Sequence, residues 1–171
     1  MHPLHSFRYC PVCGSEHFVE NNFKSKKCEH CGFVYYFNSS AATAIFITNR
    51  VGELLVVRRA KEPAKGSFDL PGGFVDLYET AEEAVIRELK EETGLLISQP
   101  QYLFSLPNIY RYSGFDVHTV DLFYQCSVDS FSGLQADDDA ESLSFLKKAE
   151  IQPEKFGLDS IRRGVERWIG M

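Results

Sequence analysis

The spacing of apolar and polar positions along this chain changes several times, and each change marks an element. From Phe33 to Thr48 the chain reads FVYYFNSSAATAIFIT, a β-branched and aromatic run that predicts a strand, a short joint around Asn38 to Ala41, and a second strand. Asn49 to Gly52 is a turn and Glu53 to Arg59 returns as a strand, so a hairpin is predicted here. Helical spacing follows. Thr80 can cap the amide of Glu83 while Glu83 reaches back, the reciprocal pattern of a capping box, and Thr93 with Gly94 ends the helix. Gln101 to Leu106 and Val117 to Val128 read as strands, with Asn108 to Phe115 as an aromatic connection around Gly114. Asp129 to Glu141 is polar and acidic, and Leu143 to Leu146 is a last short strand. Leu158 to Ile169 is an amphipathic helix, with Ile161, Val165 and Ile169 at four-residue steps. Strands on both sides of a central helix, with a closing helix, give an α/β or α+β layered domain.

The central helix carries the chemistry. At about 100° per residue, Glu88 and Glu92 lie about 40° apart and Glu91 about 60° to the other side of Glu88. Ala81 and Val85 occupy the same side, so the acidic cluster continues an apolar stripe. Three unpaired carboxylates beside a core would repel one another and cost desolvation energy unless a cation sat among them. Oxygen ligands with room for water and phosphate suit magnesium or manganese better than zinc. The competing reading is a solvated helix with salt bridges, since Arg87 and Lys90 are also present.

Composition narrows the class. The 171 residues, 44% of them apolar, are enough for one ordinary core and a small appendage. The net charge is −6; the first forty residues hold four basic side chains (Arg8, Lys24, Lys26, Lys27) and three acidic ones (Glu16, Glu20, Glu29), and subtracting that +1 leaves −7 for the remainder. So acidic a body does not favour long polyanions, which makes nucleic acid an unfavoured though open partner. The N-terminal MHPLHSFRYC lacks a charged lead before an apolar run and no stretch of 18 apolar residues occurs, so a cytoplasmic protein with no membrane partner is expected.

Four of the five cysteines form two Cys-x-x-Cys pairs, Cys10 with Cys13 and Cys28 with Cys31, each followed by a glycine, Gly14 and Gly32. Glycine frees the backbone to turn its amides toward sulfur, and paired knuckles of this kind read as a four-sulfur structural zinc site. Disulfides and a redox pair are the alternatives. His17 and His30 lie in the same region and read as surface side chains, while Cys126 in LFYQCSV reads as a small buried core residue. The expected division is a zinc ribbon over 1–38 and a larger domain over 39–171.

Gly73, five residues, Glu79, seven residues, then Arg87, Glu88, Leu89, one residue, Glu91, Glu92, one residue, Gly94 and Leu95 resemble a complete Nudix box. The likeness extends to the strand LLVVRRA from Leu54 and the loop EPAKGSFDLPGG from Glu62. The resemblance implies a Nudix α/β/α sandwich preceded here by the ribbon, and a hydrolase that uses water and Mg²⁺ or Mn²⁺ to cleave a phosphoanhydride bond in a nucleoside diphosphate joined to another group. It carries over Glu88, Glu91 and Glu92 as metal ligands, the Gly73 carbonyl as a further one, Arg87 and Glu79 as a brace between glycine turn and helix, and Glu91 or Glu92 as a water-orienting base. Asp138, Asp139 and Glu141 lie where some relatives supply that base; a solvated turn is the reading favoured for them. One of Arg58 and Arg59 is expected to face phosphate and the other solvent, because strand side chains alternate. Tyr110, Tyr112 and Phe115 could stack on a base, or be core.

A ribbon ahead of a Nudix domain is similar to the NADH pyrophosphatases, whose SQPWPFP-type segment is matched only by Ser98, Gln99 and Pro100. NADH, ADP-ribose, dinucleoside polyphosphates and nucleoside triphosphates therefore all stand as substrates. A homodimer stays open, as does a second reading in which the fold senses a ligand, or binds RNA or protein through Lys24, Lys26 and Lys27 of the ribbon, without catalysis.

Overall fold

The computed structural model describes residues 2–97, 99–128, 131, 134 and 140–171, with the backbone alone at 140 and 141. At the N-terminus, β1 (Phe18–Asn22), β2 (Ser25–Cys28) and β3 (Val34–Tyr36) pair antiparallel in that order. Their core is Cys10, Phe18 and Cys28 with Phe7, Phe33 and Tyr35 at its rim. So little apolar surface cannot hold a sheet together without a cross-link or metal.

The second sheet contains β4 (Ser40–Thr48), β5 (Leu54–Arg59), β6 (Phe68–Asp69), β7 (Gln101–Tyr112), β8 (Phe115–Ser127) and β9 (Ala140–Leu146), with α1 (Ala81–Thr93) and α2 (Asp159–Ile169) outside it. Its order is β6-β5-β4-β8-β7, with β9 paired to β5. β4 and β5 pair only at Thr48 and Leu54 and then diverge, β4 running parallel to β8 while β5 pairs antiparallel with β9. The segment from Pro71 to Val75 fills the gap beside β4: Ile45 N donates to Pro71 O at 2.9 Å, Thr43 N to Gly73 O at 2.8 Å and Val75 N to Ala41 O at 3.0 Å. The expected hairpin is thus only a mouth, and the strand pair opens to admit the glycine turn.

Successive residues of β4 face opposite layers, as a strand requires. Ala44 and Phe46 pack with Leu54, Val56, Phe104, Phe123, and Ile161 and Val165 of α2; Ile45 and Ile47 pack with Leu55, Tyr124, and Val85 and Leu89 of α1. Burial on both faces explains why this strand reads as a continuous apolar run. The layers are helix, sheet, helix. On the α2 side Trp168 stacks on Phe46 with centroids 5.0 Å apart, and Phe104 stacks on Phe123 at 4.9 Å. Gly164 lets α2 approach that closely, because a Cβ there would lie 2.3 Å from the Phe123 ring.

The aromatic connection expected at Asn108 to Phe115 is instead strand. β7 runs on to Tyr112, a two-residue turn at Ser113 and Gly114 follows with positive φ at both, and β8 begins at Phe115. Pro107 made the sequence read as a break; β7 is the edge strand of this sheet, where a residue with no N–H is tolerated. Phe115 packs on Phe7 at 6.0 Å and Phe37 at 6.2 Å, and so holds the N-terminal unit against the hairpin tip instead of reaching a ligand. Cys126 is half-buried, and burial pushes its thiol up to about 11. Of the acidic stretch, Asp138 and Asp139 lie outside the described residues, and Glu141 is placed by its backbone in β9. Among the described residues no helix is long and apolar enough to cross a membrane.

Candidate active site

The helix that carries the acidic residues is fixed at both ends. Thr80 Oγ1 accepts from Glu83 N at 3.2 Å while Glu83 Oε2 accepts from Thr80 N at 2.8 Å, and Gly94 closes the other end with φ 71°. Val85 and Leu89, both fully buried, press one face onto the sheet. That leaves Glu88 and Glu92 on the flank toward the glycine turn. Glu92 Oε2 accepts from Gly72 N at 2.9 Å. Glu88 lies so close to Gly73 that a Cβ there would fall 2.5 Å from its Oε1.

Arg87 ties the group together. Its Nε and Nη2 donate to the two oxygens of Glu79 at 2.8 and 2.9 Å, Nη2 also to Phe74 O at 3.0 Å, and Nη1 to Glu88 Oε1 at 2.7 Å and Glu91 Oε2 at 3.1 Å. Glu79 Oε2 in turn accepts from Asp76 N at 3.0 Å. The glutamates are therefore not unpaired, and the repulsion argued from the sequence is already relieved in part by a guanidinium. The Arg87 bonds hold the Glu79 carboxyl down to about 2, and Glu79 holds the Arg87 guanidinium firmly protonated. Burial raises Glu88 above the ordinary carboxylate range in spite of Arg87. Gly73 O accepts from both Thr43 N at 2.8 Å and Thr43 Oγ1 at 3.3 Å, which turns this carbonyl to β4, and the lack of a side chain at Gly73 leaves room for Glu88.

A cavity of about 390 Å³ opens beside this turn. Gly72, Gly73, Phe74, Glu92, Arg59, Lys61, Tyr110 and Tyr112 are among the residues of its wall. The two tyrosines stack on each other at 6.2 Å, and Phe74 meets Tyr110 edge-on at 6.3 Å. Of the two arginines it is Arg59 that faces the cavity; its Nη1 is held by Asp69 Oδ2 at 2.5 Å and its Nε donates to Pro63 O at 2.8 Å. Arg58 lies outside, over the Phe68 ring at 5.8 Å. Glu91 is on the outer side of α1, away from the cavity wall.

Sequence reasoning passed over Asp69, Thr119 and Asp121, all buried and all lining this cavity. The signal existed: Thr119, Asp121 and Phe123 alternate onto one face of β8, so a carboxylate stands in phase with the core.

In the N-terminal unit the four cysteine sulfurs lie within 4.8 Å of one another, and among the described residues this is the one such gathering of His, Cys, Asp or Glu. Cys10 and Cys31 are 3.7 Å apart and Cys13 and Cys28 3.6 Å. A disulfide needs about 2.0 Å, whereas four sulfurs about 2.3 Å from a tetrahedral zinc stand about 3.8 Å apart, so the cluster fits zinc. Gly14 N donates to Cys10 O and Gly32 N to Cys28 O, both at 2.9 Å, in two matching turns with glycine φ of 73° and 78°. The amide of Cys31 donates to the Cys28 sulfur at 3.5 Å and helps bring that thiol down to about 6. His17 is exposed and stands 4.0 Å from Glu29, apart from the cluster.

Comparison with known proteins agrees with this architecture. A family profile for the NUDIX domain matches residues 38–169. An ADP-ribose pyrophosphatase of Methanocaldococcus jannaschii is 36% identical over 125 residues, 71% of this chain and 70% of that protein. The NAD-capped RNA hydrolase NudC of Chromobacterium violaceum is 36% identical over 102 residues, 60% of this chain but only 38% of its own length. The crystal structure of a NUDIX hydrolase from Nitrosomonas europaea superposes with a TM-score of 0.72 over 95% of this chain and 90% of that one, at 18% identity, which speaks to the fold. With the profile spanning most of the chain and its box folded into a capped helix against a glycine turn, this protein belongs to the Nudix hydrolase family.

Proposed function

We propose that this protein hydrolyses a phosphoanhydride bond in a nucleoside diphosphate linked to another moiety, by attack of water at phosphorus. The observation that carries the reading is Glu92 bonded to Gly72 in the wall of a cavity of about 390 Å³, with Glu88 packed against Gly73 behind it. Cavities of this size suit small-molecule ligands. Residues 39–171 are the hydrolase unit and residues 1–38 a ribbon.

Glu88, Glu91 and Glu92, all hard oxygen donors, would hold Mg²⁺ or Mn²⁺, although among the described residues they do not form a close cluster as the cysteines do; Gly73, lacking a side chain, leaves space for Glu88. When bound, such ions neutralise charge that develops on phosphoryl oxygens during the attack. The chain's own residues do the positioning. Arg87 and Glu79 clamp the turn to α1 through Phe74 O and keep Glu88 aimed at Gly73. Arg59, fixed by Asp69, offers a positive face to phosphate, and Tyr110 and Tyr112 offer flat surfaces to a base. Glu91 or Glu92 would orient the water; of the two, Glu92 lines the cavity and Glu91 does not. The relative named ADP-ribose pyrophosphatase aligns over 70% of its length, so ADP-ribose is the first compound to try.

The test is product formation from a panel of nucleoside diphosphate compounds with Mg²⁺ or Mn²⁺. Glu88→Gln and Glu91→Gln should each cost at least about a hundredfold in kcat. Turnover unchanged in both variants would remove the assigned roles, and tight ligand binding without turnover in the wild type would instead favour a sensing module.

A further inference from the structure

The cavity has a second polar end, away from α1. Asp121, in the middle of β8, is 5% exposed and lines the cavity together with Thr119, Asn108 and, from α2 and the residue before it, Ile161 and Leu158. Its partners among the described residues are two hydroxyls: Thr119 Oγ1 donates to Oδ1 at 2.5 Å and Ser160 Oγ donates to Oδ2. A hydroxyl has one proton to give, so Thr119 and Ser160 have spent theirs and present only acceptor oxygens outward. The carboxylate keeps unused lone pairs as well, since an ionised Asp can accept about four hydrogen bonds. Nearby Asp69 adds like charge. This part of the cavity is therefore rich in acceptors.

Register fixes how far it lies from the glycine turn. Ala42 of β4 is bridged to Phe74 on one side and paired with Asp121 on the other. Neighbouring strands stand about 4.8 Å apart, so the turn and Asp121 are separated by about 10 Å across the sheet. A nucleoside attached to a diphosphate at the turn has that reach.

We propose that Asp121 is the specificity-determining residue of the cavity, accepting hydrogen bonds from N–H or O–H groups at the end of the substrate remote from the phosphates. The proposal rests on reading this cavity as the substrate site. The donors come from one of two sources, an exocyclic amino group on the base or the hydroxyls of a sugar. An oxo group set against this carboxylate would bring acceptor against acceptor, and a hydrogen there would leave its remaining lone pairs cut off from water without a new bond, so a ligand carrying either is disfavoured. Tyr110 and Tyr112 on β7 would hold the ring plane while Asp121 reads its edge.

The experiment compares ADP-ribose with its hypoxanthine analogue, which replaces the amino group by oxygen, and with 2′-deoxy and 3′-deoxy adenosine analogues. Wild-type protein should discriminate against at least one class by about tenfold or more in kcat/KM. Loss with hypoxanthine identifies the base, and loss with a deoxy sugar identifies the hydroxyls. Asp121→Asn, which keeps the shape but adds donors, should bring that ratio to within about threefold of unity. Ser160→Ala, which removes only the strut to α2, should retain the discrimination. Equal treatment of all four compounds by the wild type, or a uniform loss across them in Asp121→Asn, overturns the proposal and leaves Asp121 a structural tie between β8 and α2. The same ratios are read in equilibrium binding by calorimetry. If no compound turns over yet binding discriminates, the hydrolase reading fails and the recognition role stands.

Discussion

Two adjacent glycines should respond in opposite ways to the same substitution. In Gly73→Ala the new Cβ would lie 2.5, 2.7 and 2.9 Å from the Oε1, Cδ and Oε2 atoms of Glu88, all at the far end of a flexible side chain. Gly73 is not in the left-handed region, so alanine fits its backbone, and Glu88 can relieve the clash by swinging toward solvent. The cost to folding is then about one lost charge-assisted hydrogen bond to Arg87, on the order of 1 to 2 kcal/mol. The cost to catalysis is larger, because displacing a reacting group by about 1 Å can lower the rate about a hundredfold. Gly72→Ala meets backbone instead: its Cβ would lie 2.2 Å from Thr43 O and 2.8 Å from Thr43 C, at a φ of 140°. Backbone strain of about 1 to 3 kcal/mol adds to an overpacking cost of similar size, and the turn must peel away from β4. Urea denaturation and kcat/KM on the same samples separate the two. Gly73→Ala with activity within threefold of wild type would refute the claim that Glu88 works from its place against the turn, and Gly72→Ala with undiminished stability would refute the tight packing of turn on β4.

Other outcomes follow from single contacts. Arg87 holds Glu79 at about 2, below its ordinary 4.5, so ionised Glu79 stabilises the fold above about pH 4.5 and this contribution is lost as pH falls toward 2. Thermal melts across that window should therefore fall more steeply for wild type than for Glu79→Gln, and parallel curves would show the ion pair to be inert. Gly164→Ala should destabilise by about 1 to 3 kcal/mol even though alanine is the better helix former by about 1 kcal/mol, because the Phe123 ring it strikes is fully buried; a gain in Tm would contradict the packing. Protein purified without chelator should contain one zinc per chain by metal analysis, and stripping it should raise KM more than it lowers kcat, since Phe7 and Phe37 brace the hairpin whose β7 strand carries Tyr110 and Tyr112. Absence of zinc would reject the ribbon.

Features encoded within a short span were readable before any coordinates. The capping box at Thr80 and Glu83, the closing Gly94 and the two knuckles all depend on residues a few positions apart, and the folded chain has them where local chemistry puts them. What escaped depends on distant partners. Pairing of β4 with β8 joins Ser40 to Thr119 and Thr48 to Ser127, and no local pattern announces it. Asp121 meets the cavity only through that pairing. Pro107 and the aromatic run hid the long β7–β8 hairpin, although Ser113-Gly114 carried a usable turn signal. The arithmetic of helix faces put Glu88, Glu91 and Glu92 together but could not tell that Arg87 would take the charge of two of them while Glu92 bonds the turn.

One strand acts as a ruler for the ligand. Because β4 grips the Pro71–Val75 segment along one edge and β8 along the other, the two ends of the cavity are spaced by backbone ladders and not by side chains. Point substitutions can change what each end tolerates, but they leave the interval between them untouched. Divergence toward longer or shorter molecules would have to come from the outer β7 edge or from the loop around Lys61 and Glu62, where insertions meet no ladder.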